Sequence, residues 1–497
     1  MSEAERKEGQ GLPRALIAGP LLFTLVLGLK SAGLQPEGWS DEAMVVGGLT
    51  LWMGTWWIFE AIPLGATALL PLAVLPLAGI LPVKLVAKPY MHPFILLLMA
   101  GFIAALAIER WGLHKRVALN ILIRARGGPS GLILGMMVTT AVCSMWISNT
   151  ATTLMLLPIA LALVSKAEAE VGQDDPGVNA FALSMFLGIA YSASVGGLAT
   201  PIGTPPNLVF LGVYHETFPD RPPITFGDWM MMAGPLVVVL IPLFWVLLTR
   251  VISKVPDTLP LAAKPMLRSE LDGLGEISRD EKKVGLVFLS MAILWITRKI
   301  KVGGGEVIGW APALGIDTFV DDSTVAVVGA LVLFAWPSST QRGERLMNWE
   351  TAKQIPWEVV LLFGGGIALA DAFKSSGLSA AIATSLTGLA GLHSIALIAV
   401  IALAVTFLTE VTSNTATSTI LMPVLAAFAI AADLSPELVM VPAVLSASCA
   451  FMLPVATAPN AIVYGSGKVP IKAMVRTGIS LNLLGALGIT LWCYLTL

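Results

Sequence analysis

W-I-S-N-T-A-T-T at 146–153 returns as V-T-S-N-T-A-T-S at 411–418. Asn149 and Asn414 stand 265 positions apart, and the same offset pairs Gly101 with Gly366, Gly112 with Gly377, Ser144 with Thr409 and Pro158 with Pro423. Farther on, G-T-P-P-N at 203–207 faces A-T-A-P-N at 456–460, with Asn207 and Asn460 separated by 253. The first copy therefore holds 12 more residues between its two motifs, a surplus that the polar stretch 166–178 can absorb. The chain reads as two related halves.

Composition sets the solvent of those halves. Of 497 residues, 56% are hydrophobic and 12% charged, against roughly a quarter charged in soluble domains. Such a chain needs a lipid bilayer. A net charge of −2 gives no reason to expect nucleic acid as a partner. Cys143, Cys449 and Cys493 lie in apolar stretches without CxxC spacing, and His92, His114, His215 and His393 are scattered. No nucleophile–base pair or His/Asp cluster falls at membrane depth, so the chain is not read as an enzyme. Helix breaks at a closed midplane site suit alternating access better than a channel.

A spanning helix takes about 20 apolar residues. Apolar segments fall near 15–30, 43–62, 63–81, 92–108, 131–165, 180–213, 229–252, 283–297, 322–337, 356–373, 392–432, 438–466 and 473–497. Segments 131–165 and 392–432 exceed one crossing, carry polar residues near their middles and read as helical hairpins. Basic residues orient the rest. Arg110, Lys115, Arg116, Arg124 and Arg126, those of 253–283, and Lys468, Lys472 and Arg476 share one side if each hairpin returns to its side of entry. The N-terminus is then cytoplasmic and the C-terminus external, with eleven full spans in an inner or plasma membrane. Arg298, Lys299 and Lys301 are a local exception. Charge does not distinguish a re-entrant hairpin from two crossings.

The division that follows is a tail and retained first helix (1–42), a first repeat (43–252), a cytoplasmic connector (253–283) and an inverted second repeat (284–497). The first repeat comprises scaffold helices 43–108, a basic interfacial helix 109–130, hairpin 131–165, broken helix 180–213 and helix 229–252. The second comprises scaffold helices 284–373, hairpin 392–432, broken helix 438–466 and helix 473–497. Gly364, Gly365 and Gly366 suggest close helix packing. Trp52, Trp56 and Trp57 suggest an interfacial belt.

Ser148-Asn149-Thr150 and Ser413-Asn414-Thr415 precede apolar runs and read as helix caps. A helix starting there presents free N–H groups and the positive end of its dipole at the hairpin tip. Thr204-Pro205-Pro206, after Gly203, reads as a helix restarting in the membrane, and Thr457 with Pro459, after Ala456, repeats it. Four helix starts converging on one point suit an anion. Neither hairpin nor broken helix contains Lys or Arg, so a bound dianion needs a cation to offset it. Ser144, Ser148, Asn149, Thr409, Asn414 and the broken-backbone carbonyls near Gly203 and Ala456 are hard oxygen donors that suit an alkali ion. Inverted repeats with interrupted helices mark transporters. Glu410, whose repeat mate is Met145, is the ionisable residue inside a hairpin; it is a functional candidate or else solvated near the tip.

On these paired motifs, from about residue 43 to the C-terminus, the sequence resembles the divalent anion–sodium symporter (DASS) family, carriers of dicarboxylates, citrate or sulfate. The resemblance implies an all-α integral membrane fold of about 11 transmembrane helices plus two re-entrant hairpins, and a homodimer working by an elevator mechanism. It implies substrate contacts at Ser148, Asn149, Thr150, Thr204, Pro205, Ser413, Asn414, Thr415 and Thr457. It further implies two or more Na+ ions, one at Ser144, Ser148, Asn149 and Gly203 and another at Thr409, Asn414 and Ala456. The expected activity is Na+-coupled symport of C4-dicarboxylates such as succinate, malate or fumarate; the alternatives are Na+-independent exchange, or sulfate or citrate carriage. Ala458 stands where relatives often have the first proline of the second break, which leaves size preference open.

Overall fold

The computed structural model describes residues 3–36, 38–260, 263–301, 307–385 and 391–497. Helices account for nearly all regular structure; the described strand content is the two-residue ladder of Ile300–Lys301 with Val307–Ile308. Seven described helices are long and apolar enough to cross a membrane, and five shorter apolar helices accompany them. The protein is multi-pass.

The first hairpin consists of arms Gly128–Ser144 and Asn149–Val171; the second consists of arms Ser394–Leu408 and Asn414–Ala431. The first broken helix runs Pro176–Gly197 and restarts at Pro205–Thr217. The second runs Pro436–Ala447, passes a short turn at Pro454–Ala456 and restarts at Ala458–Gly465. The 12-residue surplus has two homes. The outgoing arm Asn149–Val171 is five residues longer than its mate, and Pro176–Gly197 starts seven residues earlier than its own.

Three segments depart from the sequence reading. The apolar stretch 63–81 is not one helix but two, Leu64–Thr67 and Leu70–Leu77, amid Pro63, Pro71 and Pro76. Proline lacks the N–H that an interior turn requires. The connector 253–283 contains helix Ala263–Gly273 and ends earlier, because helix Arg279–Thr297 starts at a Ser278–Glu281 capping box. Trp57 is no belt residue: it is fully buried and donates to the Leu64 carbonyl at 3.2 Å.

Two apolar cores divide the molecule. The larger runs through the hairpins, the broken helices and helices Phe226–Val246 and Ile471–Thr496. The smaller joins Asp41–Ile58, the short helices that follow it and Trp357–Ser375. The glycines of this last helix allow near-contact of backbones, since a Cβ on Gly365 would lie 2.6 Å from the Ala68 carbonyl oxygen. The site described next opens beside the larger core, whose Phe102, Ile202 and Val359 reach its lining.

Candidate functional site

Each motif sits where a helix restarts. Ser148 caps Asn149–Val171, its Oγ accepting from the Ala151 N–H at 3.1 Å. Ser413 occupies the same position before Asn414–Ala431, but its hydroxyl makes no capping bond. The broken helices reverse this division. Thr457 Oγ1 accepts from the Asn460 N–H at 3.2 Å, whereas Thr204 makes no such bond. Both threonines are extended, with φ −145° and ψ 139° at Thr204 and φ −144° and ψ 151° at Thr457.

Two buried asparagines hold the breaks open. Asn207 Nδ2 donates to the carbonyls of Gly197, Leu198 and Thr200 at 3.1, 3.3 and 2.8 Å. Asn460 Nδ2 donates to those of Ala450 and Leu453 at 3.1 and 3.0 Å. Ala450 and Leu453 are the mates of Gly197 and Thr200 at the 253 offset. Each side chain thus supplies the partner that unwound carbonyls lose, without which they would cost free energy in an apolar interior.

All nine residues expected to touch substrate, Ser148, Asn149, Thr150, Thr204, Pro205, Ser413, Asn414, Thr415 and Thr457, line one cavity of about 970 Å³. Gly203 and Ala456 line it too. The opposite wall is mainly apolar and includes Phe59, Phe102, Leu106 and Val359, with Glu60, Glu109 and Gln354 as its polar members. No Lys or Arg lines the cavity. The starts of four helices line it, as suits an anion held by amides and hydroxyls.

Ser144 and Thr409 lie behind this lining, both fully buried. Ser144 Oγ is 2.5 Å from Asn149 Oδ1 and 2.7 Å from the Ala193 carbonyl oxygen. Thr409 Oγ1 is 2.7 Å from Asn414 Oδ1 and 3.0 Å from the Ala447 carbonyl oxygen. A hydroxyl has one proton and here faces two acceptors. In each half, three oxygens thus crowd together with one hydrogen among them, a donor set matched to a hard cation. Gly203 joins the first cluster through a close approach: a Cβ on Gly197 would meet the Gly203 carbonyl oxygen at 2.9 Å and Asn149 Oδ1 at 3.0 Å. Among the described residues no group of three or more His, Cys, Asp or Glu could hold a transition metal.

Sequence reading missed the carbonyls of Ala193 and Ala447 and the roles of Asn207 and Asn460. Main-chain oxygens carry no residue signature, though the repeated P-N pair is a signal for the asparagines. Glu410 is neither solvated nor in the cavity lining. It is buried and accepts from the N–H groups of Phe451, Met452 and Leu453.

The chain is similar to known membrane transporters. Residues 18–496 match the family model described as the sodium:sulfate symporter transmembrane region. The sodium-dependent dicarboxylate transporter SdcS of Staphylococcus saprophyticus is 41% identical over 483 residues, 96% of this chain and 90% of that one. SdcS of Staphylococcus aureus is 40% identical over 482 residues, with the same coverage. Among solved structures, the Alcanivorax borkumensis YdaH transporter superposes with a TM-score of 0.54 at 14% identity, covering 90% of this chain and 98% of that one. Neisseria gonorrhoeae MtrF superposes with a TM-score of 0.53 at 13% identity, covering 82% of each. These last two are similar in fold alone.

Proposed function

We propose a function from one premise: this chain belongs to the sodium:sulfate symporter family. It is a secondary transporter that carries a C4-dicarboxylate together with sodium. The observation carrying this reading is that both Ser-Asn-Thr tips and both helix restarts line one cavity without a basic side chain. The dianion binds to hydroxyls, amides and helix N-termini. Sodium ions at the Ser144/Asn149/Gly203 and Thr409/Asn414/Ala456 oxygens neutralise it, so that neither charge crosses the low-dielectric interior uncompensated.

The two halves act as inverted repeats, and each hairpin re-enters to mid-depth. The motif-bearing hairpins and broken helices form a mobile body that slides, elevator-fashion, along the apolar wall formed by helices such as Pro93–Arg110 and Trp357–Ser375. The scaffold pairs with a second copy as a homodimer. With eleven crossings, a cytoplasmic N-terminus and an external C-terminus, Glu60, Glu109 and Gln354 lie at the cytoplasmic mouth, and this conformation faces inward.

The test is uptake of labelled succinate into liposomes with an inward sodium gradient, without one, and with internal dicarboxylate. Sodium-driven uptake into empty liposomes is expected. Uptake that requires internal dicarboxylate and ignores sodium would replace symport with exchange. Competition by unlabelled malate, fumarate, citrate and sulfate ranks the substrates.

A further inference from the structure

The two cation clusters differ in how their helix breaks are held. In the first half the helix continues to Gly197, and Thr200 Oγ1 closes the break by donating to the Met145 carbonyl at 2.5 Å. In the second half the helix stops at Ala447, three residues before the mate of Gly197. Leu198 N and Ala199 N in the first half still bond to the Val195 and Gly196 carbonyls, whereas their mates Phe451 N and Met452 N turn to a side chain.

Glu410 satisfies them. It follows Thr409 in the chain and stands where the first half has Met145. Its Oε1 accepts from Phe451 N at 2.6 Å and Met452 N at 2.9 Å, and its Oε2 from Met452 N and Leu453 N, each at 3.1 Å. Asn482 Nδ2, from the last helix, donates to Oε1 at 2.7 Å, and Asn482 Oδ1 accepts from Phe451 N at 3.3 Å. Every partner of the carboxylate is a donor, the pattern a carboxylate anion accepts. Gly478, one turn before Asn482, lets the last helix approach the same segment closely: a Cβ there would lie 2.3 Å from the Phe451 carbonyl oxygen. Residues 451–453 are therefore gripped between Glu410 and one face of the last helix.

The grip reaches the cation cluster. Ala456 N donates to the Leu453 carbonyl at 3.2 Å, and Asn460 Nδ2 donates to the same oxygen at 3.0 Å. We propose that Glu410 is a positioning residue for the second cation site: through Leu453 it fixes the Ala456 end of the break, and its buried charge favours a cation beside Thr409 and Asn414. The first half has no counterpart, so the two sites are unequal and the second binds sodium more tightly. This inference rests on the proposed sodium sites and adds a residue outside them.

The test uses the full-length protein, with sodium alone as the probe. Sodium-induced thermal stabilisation is measured in detergent without substrate, and the sodium dependence of succinate uptake in liposomes. Glu410→Gln is expected to raise the half-saturating sodium concentration about tenfold, the scale of losing a charged hydrogen bond, with the maximal rate at saturating sodium within about twofold of wild type. Asn482→Ala, which removes one of the donors, is expected to shift it about threefold in the same direction; it decides the matter if Glu410→Gln does not fold. A purely structural role would lower Tm and the maximal rate while leaving half-saturation by sodium unchanged, and that result overturns the proposal. Asn414→Ala in the same preparations separates the two readings. An inactive Asn414→Ala beside wild-type sodium curves for both other variants overturns the role of Glu410 alone, whereas a fully active Asn414→Ala overturns the site on which it rests.

Discussion

Ser144 Oγ lies 2.5 Å from Asn149 Oδ1 and 2.7 Å from the Ala193 carbonyl oxygen, so that its one proton faces two acceptors. In the sodium site proposed above, a hard cation takes these oxygens as ligands. Ser144→Ala is therefore expected to raise the sodium requirement for uptake about tenfold while leaving succinate half-saturation at high sodium within about twofold, if a ligand is worth a charge-assisted bond. Equal losses in both constants would mean that Ser144 serves packing instead.

Asn149 and Asn414 each face the cavity and touch the oxygens proposed above to hold sodium. On that proposal, removing either side chain takes ligands from anion and cation together. Asn149→Ala and Asn414→Ala are each expected to cut transport at least about a hundredfold, from roughly 3 kcal/mol of lost bonds. The purified proteins should keep the wild-type elution profile. Robust uptake by either variant would move the site elsewhere.

Gly203 and its mate Ala456 differ in the room their backbones leave. A Cβ on Gly203 would sit 2.5 Å from the Gly197 carbonyl oxygen, a separation no relaxed contact reaches. Gly203→Ala should lose most transport and lower Tm by several degrees, about 1–3 kcal/mol of overpacking. Ala456→Gly, which adds no atom, should stay within a few-fold of wild-type uptake.

Val455 lines the cavity and is 82% exposed, while Cys143, Cys449 and Cys493 are all buried. Val455→Cys can therefore be labelled against a quiet background. A membrane-impermeant maleimide should react faster in inside-out vesicles than in right-side-out ones, and sodium with succinate should slow the reaction. Preferential labelling from outside would reverse the orientation proposed above.

Asp280 begins the helix Arg279–Thr297 at the end assigned to the cytoplasm. Burial pushes its carboxyl up, but hydrogen bonds from Thr340, Ser339 and Ser338 prevail and hold it down to about 2, from 3.8. Because the folded value is the lower one, its stabilising contribution is complete above about pH 4 and disappears as pH falls toward 2. The Tm difference between wild type and Asp280→Asn should be constant from neutral pH to about pH 5 and shrink below pH 4. A gap independent of pH down to 2.5 would argue that the carboxylate charge is irrelevant there.

The positions of the helix restarts were legible because Ser, Asn, Thr and Pro favour helix starts locally: Ser148 and Thr457 cap through atoms three residues away, and Pro205 and Pro459 sit in first turns. Repetition made the signal specific, since Ser148 alone resembles any polar residue joining two membrane helices. What stayed hidden depends on distant partners. The N–H groups gripped by Glu410 lie about forty positions away, and Ala447 gains its role because Thr409 faces its carbonyl. The two short helices within 63–81 were readable in principle from Pro63, Pro71 and Pro76, but an apolar average hides where backbone bonds must fail.

The longer outgoing arm of the first hairpin has an effect on cohesion. Its extra residues include Glu168, whose carboxylate receives both contacts from Lys468 Nζ, at 2.6 and 2.9 Å. Lys468 follows the restarted helix of the opposite half. Asp433 and His215 hold the corresponding places on the other side, and the shorter arm there ends before its own Asp433. There the second half supplies Glu437 instead, which accepts from Tyr214 and pairs with Arg221 at 3.1 Å, so the two copies are riveted on both sides by different residues. In the mechanism proposed above, halves fastened to each other on both sides would move as one piece instead of hinging between the repeats.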